Sequence, residues 1–332
     1  MIWTLLAGIV LQTQKSTVLL GGDIMLNQIP VSHQPFRDLY KIPQPGEVVI
    51  ANLEIPLTRS TTPTPYKTAA ELKARTQYIL KADPKHIDGL SAVGFHMVSL
   101  GNNHVMDYGS AGLAEMTSLL DARGILHTGA GPNLAEAKRA ISAKGVTLLS
   151  AMAFMGTAAM KKLGPATASR PGLHALIFNG TVDAADKKYL KDWIAASPTD
   201  GIKIVALHWG LEKHTIPTSY QVALARACID AGADVVWGHH PHVLQGAELY
   251  NGKPILYSMG NLISRKEGPT GLARLYFENE HLKGFRFVPL DIKNMRVAPV
   301  PSKLVEARRK AFQGLSNAVQ RKFPHKMSKA LY

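Results

Sequence analysis

Amide and imidazole side chains stand directly after apolar runs at two places more than a hundred residues apart. Gly101-Asn102-Asn103-His104 follows Phe95-His96-Met97-Val98-Ser99-Leu100, and Gly238-His239-His240-Pro241-His242 follows Ala233-Asp234-Val235-Val236-Trp237. Such runs read as buried strands, each ended by a Gly that lets the chain turn sharply and carry its side chains over the sheet's edge. The same recipe recurs as Gly22-Asp23 after Val18 to Leu20, as Asn52 and Glu54 after Val48 to Ile50, and as His208-Trp209-Gly210 with Glu212; Asp107 stands close to His104. Hard oxygen donors mixed with imidazole suit Mn, Fe or Zn better than calcium, and there are enough of both for two ions sharing a bridging carboxylate. A two-metal centre clamps the attacking and leaving oxygens of a phosphoryl group and supplies a water nucleophile near neutral pH. His104 is the expected proton donor to the leaving group, because its neighbour Asn103 can take the ligand position while the imidazole points outward.

Each of these residues also has an ordinary reading. A histidine alone at a strand end, such as His208, is commonly a hydrogen-bonded structural residue, and acids after strands, such as Asp23 and Glu54, commonly cap turns. The His240/His242 pair, two apart on one face, favours a ligand role, and the recurrence of one recipe at five places is harder to dismiss than any single instance. His33, His86, His127, His174, His214, His281 and His325 lie outside the pattern and read as surface or structural residues. Gly129-Ala130-Gly131 is too slight for a nucleotide loop.

Something must hold these side chains together, and the apolar runs supply it. Runs at Val18 to Leu20, Val48 to Leu53, Met97 to Leu100, Val146 to Phe154, Ile202 to Leu207, Val235 to Trp237 and Ile255 to Met259 alternate with amphipathic stretches at Pro84 to Val93, Ala111 to Arg123, Val182 to Ala195 and Ser219 to Ala231. That alternation predicts an α/β fold, with Gly124 and Gly232 placed as helix caps. After Leu272 the alternating Leu275-Tyr276-Phe277 and Phe285 to Leu290 predict antiparallel strands closing the sheet. Thr58 to Tyr66 and Gly156 to Gly172 read as surface loops.

The chain of 332 residues, 46% apolar, can bury a full core and is not disordered. Cys228 is its only cysteine, which excludes an internal disulfide and a thiolate cage; its apolar helical surroundings make it a buried small hydrophobe. Half of the net charge of +14 falls between Lys303 and Tyr332, where eight Lys/Arg face the single acid Glu306. Residues 296–332 therefore read as a basic, helical tail able to rest on anionic lipid or an acidic polymer, or simply solvated. Nucleic acid is not expected, because the basic residues of this tail are not interleaved with base-stacking aromatics, only Phe312 and Phe323 standing among them. The run Met1 to Leu11 has the length of a signal-peptide core and is too short to span a bilayer, so residues 1–16 read as a leader and the expected destination is the cell envelope or periplasm.

The motif series resembles the CapA family, the poly-γ-glutamate capsule synthesis proteins, whose domain is similar to the calcineurin-like metallophosphoesterases. The matching pieces are GGDIML at 21–26, ANLEIPLT at 51–58, LKADP at 80–84, SLGNNHVMDYG at 99–109, TGAGPNLAEA at 128–137, HWGLE at 208–212, AGADVVWGHHPHVLQG at 231–246 and YSMGNLI at 257–263. They run in family order over roughly 17–290, so the domain is set at 17–295. The resemblance implies a four-layer α/β/β/α sandwich of metallo-dependent phosphatase type. It also implies Asp23, Glu54, Asn103, His208, His240 and His242 as metal ligands, with Glu54 bridging and His104 as the acid. Asn52, Asp107, Glu212 and Asn261 would support them, and Lys81 would meet substrate phosphate or carboxylate. Two departures stand out: Asp23-Ile24-Met25 replaces Asp-x-His, and Asn52-Leu53-Glu54 replaces Gly-Asp-x-x-Asp/Asn, so one metal position loses donors.

The resulting expectation is a divalent-metal-dependent hydrolase of phosphoesterase type, working with an envelope synthesis complex. Its rivals are a non-catalytic component that binds or exports an anionic polymer such as poly-γ-glutamate, and a metal-dependent amide hydrolase acting on that polymer.

Overall fold

A computed structural model describes residues 14–155, 162–178, 181–198 and 201–331. The leader expected at the N-terminus lies almost wholly outside these residues, as does part of the Gly156 to Gly172 loop. Two eight-stranded sheets face each other. From edge to edge the first runs Arg296–Pro299, His281–Lys293, Gly268–Glu278, Lys15–Ile24, Val48–Leu53, Met97–Ser99 and Leu126–Thr128, with Asn261–Ile263 pairing alongside Lys15–Ile24. The second runs Ser328–Ala330, Ala247–Tyr250, Lys253–Leu256, Val235–His239, Ile202–His208, Val146–Met155 and Ile141–Ala143, with Ala175–Phe178 alongside Val146–Met155.

The layering follows from period-two alternation in strands that are apolar on both faces. In the first sheet Val18, Leu20, Ile50 and Met97 point into the seam between the sheets. Their neighbours Leu19, Val49, Ala51 and Val98 point outward, onto Ile87 and Leu90 of the helix His86–Val93 and Leu113, Met116 and Leu120 of the helix Gly109–Asp121. In the second sheet Ile204, Ala206, Val235 and Trp237 fill the seam. Val205, Leu207 and Val236 meet Leu190 and Trp193 of the helix Ala184–Ala195 and Leu224 and Cys228 of the helix Ser219–Asp230. The result is the α/β/β/α sandwich. The core strands Lys15–Ile24, Val48–Leu53, Met97–Ser99 and Leu126–Thr128 are mutually parallel, as are Val146–Met155, Ile202–His208, Val235–His239 and Lys253–Leu256. All these strands therefore present their C-terminal ends on one side.

The strands after Leu272 are antiparallel as expected, but Gly268–Glu278 pairs directly with Lys15–Ile24 in the middle of the sheet. The segment 296–332 is helical over Ser302–Lys322, yet it is no detached tail. Arg296–Pro299 extends the first sheet and Ser328–Ala330 extends the second. The helix between them bridges both: Phe312 stacks on Phe287 at 4.4 Å and 6°, and the Ser316 hydroxyl accepts the Ala247 N–H. Buried Glu248 completes the join, accepting from Arg226, Gln320 and Ser328. The basic residues dominate the composition, but Phe312, Ser316 and Val319 decide the packing because they are the ones removed from water. No helix among the described residues is long and apolar enough to cross a membrane.

Phe312→Ala should therefore destabilise the protein by about 3–5 kcal/mol. Chemical denaturation followed by circular dichroism measures this; a solvated tail would leave the midpoint unchanged.

Candidate metal centre

The first strand breaks register between Leu20 and Asp23, so Gly21-Gly22 forms a bulge that re-aims Asp23. Asp23 then stands beside Asn52 of one neighbouring strand and Asn261 of the other. Gly22 is required by proximity: a Cβ there would lie 2.0 Å from the Gly260 carbonyl oxygen. Gly238 is similar, since its Cβ would meet the Tyr257 carbonyl at 2.1 Å. Neither Gly101 nor Gly238 has the left-handed φ of a tight turn; close approach of neighbouring chain, and not a sharp bend, explains both. The left-handed backbone lies instead at His240 (φ 93°) and His242 (φ 55°), where a non-glycine residue is strained.

The two sheets bring the expected residues together. His208 Nε2 lies 3.0 Å from Asn103 Oδ1, 3.1 Å from His240 Nδ1 and 3.4 Å from Glu54 Oε1. His242 Nδ1 lies 2.9 Å from Asn261 Oδ1 and 3.2 Å from Asp23 Oδ2, while its Nε2 is 3.7 Å from Glu54 Oε1. Asn52 Nδ2 donates to Asp23 Oδ1 at 2.9 Å, and Asn52 Oδ1 accepts from Asn102. Among the described residues three donor groups have the spacing of a metal site: Glu54, His208 and His240; Asp23, Glu54 and His242; and Glu212, His240 and His242, with Glu212 exposed. Glu54 belongs to two of them. Both its carboxylate oxygens are buried without a hydrogen-bond partner among the described residues. A sealed, unpartnered carboxylate ringed by imidazoles is a costly arrangement by itself, and a divalent cation is the partner that fits it.

The charge states agree with that fit. Burial pushes the Glu54 carboxyl up to about 7, aided by the nearby Asp23 charge and opposed by His242. Burial also acts to raise Asp23, but its contacts with His239 and His242 hold it well below the usual carboxylate range. Burial keeps His208 and His240 neutral, the form in which imidazole binds metal, while the Glu54 and Asp23 carboxylates overcome burial at His242 and raise it.

His104 sits in its own bracket. Its Nδ1 lies 2.6 Å from Asp107 Oδ2, which also accepts the Leu80 N–H at 2.7 Å. The other Asp107 oxygen accepts from Lys67 Nζ, which reaches the Tyr78 and Asn103 carbonyls as well. Asp107 therefore fixes the ring and leaves Nε2 as the nitrogen able to carry a proton outward. Lys81 takes another course: its Nζ donates to the Ser60 carbonyl, lies 4.7 Å from the Tyr108 ring centroid and lines an open cavity with Thr58, Arg59 and Lys85. Among the described residues it makes no hydrogen bond or ion pair with the donor cluster.

Two residues of the site escaped the sequence reading. His239 is fully buried against Trp237 with its Nδ1 3.0 Å from Asp23 Oδ1; Val235, Trp237 and His239 alternate onto one face, which was the available signal. Lys67 follows a Thr/Pro-rich stretch with no periodicity, and nothing local marks it.

The family profile described as bacterial capsule synthesis protein PGA_cap matches residues 17–266. The chain belongs to this family. A relative from Bacillus subtilis, the PGA biosynthesis protein CapA, is 30% identical over 294 residues, covering 84% of this chain and 72% of its own. A probable polyglutamine synthesis accessory protein of Mycobacterium tuberculosis is 29% identical over 329 residues, covering 85% of this chain and 86% of its own. Among solved structures, a novel phosphatase from Mycoplasma pneumoniae aligns with a TM-score of 0.49 at 12% identity, covering 88% of this chain and 97% of that one. The PGA_cap match spans every residue of the donor cluster, from Asp23 to Asn261.

Protons compete with a cation for Glu54, so manganese affinity should fall as pH drops below about 7. Titration at pH 5.5 and 7.5, wild type against Glu54→Gln, checks this: the variant should bind weakly at both. Lys67→Met leaves the Asp107 charge buried and should lower stability by about 3–5 kcal/mol in thermal or chemical unfolding.

Proposed function

We propose that the protein is a metal-dependent hydrolase of phosphoesterase type serving the synthesis of an anionic capsule or envelope polymer. The observation carrying this is the convergence of Glu54, His208, His240 and Asn103 donor atoms around a carboxylate with no other partner. Asp23, Glu54, Asn103, His208, His240 and His242 would hold one or two divalent ions. Such ions, when bound, act as Lewis acids toward a phosphoryl oxygen and make a water nucleophile available near neutral pH.

The chain's own groups do the rest. His104, turned by Asp107, is placed to pass a proton from Nε2 to the departing oxygen. Asn52 and Asn261 orient Asp23 and His242 through their amides. The capsule role draws support from the names of the Bacillus relative and of the family. The accessory role in the mycobacterial relative's name supports work beside a synthesis complex, and residence at the envelope is supported by the apolar run Met1 to Leu11.

One observation favours the second reading, a polymer-binding component without turnover. Met25, at the position where the resembled enzymes carry a histidine ligand, packs its side chain against the apolar layer outside the first sheet, and Asn52 turns its NH₂ toward Asp23, so one ion position has fewer donors.

Hydrolysis of 4-nitrophenyl phosphate with added manganese separates the two. The hydrolase should turn over, lose activity to a chelator and in His240→Ala, and fall about 10²–10⁴-fold in kcat in His104→Ala. No turnover in a protein that holds metal, together with polymer binding that weakens steeply with salt, would leave the binding role.

A further inference from the structure

A cavity of about 310 Å³ adjoins the centre, with His242 and Asn261 in its wall. Away from them the lining turns apolar: Leu244 and Pro269 on one side, Phe287 and Ile292 from the first sheet, Ala311 and Leu315 from the helix Ser302–Lys322. The charged groups near it are mostly engaged elsewhere. Arg308 pairs with Asp291 at 2.9 Å and Glu267 accepts the Asn294 N–H, while Lys266 is exposed. The family match ends at residue 266, so most of this apolar wall, including the helix face, is built by chain beyond it.

We infer that this chamber seats the apolar chain of a substrate whose phosphate lies at the donor cluster, making the substrate a phosphate ester of a long-chain alcohol. This rests on the phosphoesterase reading and narrows its substrate. His242 ties the two parts, since it belongs to two of the donor groups and also lines the cavity together with its partner Asn261. At roughly 30 Å³ for a water-sized group, the 310 Å³ volume takes a chain segment of about ten such groups. A polyglutamyl segment fits poorly, since it carries a carboxylate on every residue and, among the described residues, only Lys266 in this wall is a cation not already paired, while Phe287, Ile292 and Leu315 offer none. An alkyl chain loses nothing there and gains from leaving water.

The test compares octylphosphonate with methylphosphonate, whose P–C bonds resist hydrolysis, by titration calorimetry on the full chain with manganese. Octylphosphonate should bind at least about tenfold more tightly, with a negative heat-capacity change. Ala311 is exposed, so Ala311→Trp and Ala311→Asp should fold normally, the first filling the chamber and the second charging its wall. Each should bring octylphosphonate down to the methylphosphonate level and leave methylphosphonate unchanged. Equal binding of the two phosphonates by the wild type, or a chain-length gain that survives both variants, would overturn the inference. The readout is binding, so a protein that shows this pattern but hydrolyses no phosphoester refutes the hydrolase reading and leaves the chamber standing.

Discussion

Two carboxylates, Asp23 and Glu54, are sealed from water where the sheets meet, and the rest of the site is arranged around the cost of keeping them there. Asp23 is satisfied by the protein itself, through Asn52 and the histidines at 239 and 242. Glu54 is not, and its carboxyl drifts up toward neutral pH as a result. This division explains why imidazoles from both sheets crowd one carboxylate and why two of them are kept uncharged by burial. It also explains the strained backbone at His240 and His242: only a chain doubled back on itself can bring both rings to bear on so small a volume.

Precision at such a centre depends on what stands behind it. Asp23 is gripped by Asn52, His242 by Asn261, His104 by Asp107, and Asp107 in turn by Lys67 and a backbone N–H. Asn52, Asp107 and Lys67 are themselves buried and Asn261 is half-buried, so few rotamers are open to them.

Much of this was legible in the chain. Strands apolar on both faces announce themselves as runs, and the polar residues that follow them mark where chemistry sits; Asp23, Glu54, Asn103, His208, His240 and His242 emerge that way and are brought together. What local pattern does not encode was lost. Lys67 acts across forty residues on Asp107, from a segment without periodicity, and so leaves no trace in spacing. Lys81 is marked by its motif alone, and spacing does not reveal that its Nζ settles on the Ser60 carbonyl and the Tyr108 ring. The C-terminal segment was judged by its charge, which is abundant, when its fate depends on three buried residues, which are few.

The placement of Lys15–Ile24 has a consequence for how the molecule comes into being. This strand lies mid-sheet, flanked by Val48–Leu53 and by Gly268–Glu278, a strand far from it in sequence. Its second edge stays open until some 250 further residues have been made. The first sheet is thus barred from closing early, and while the intervening chain is made its apolar strands stay open to chaperones and to wrong partners.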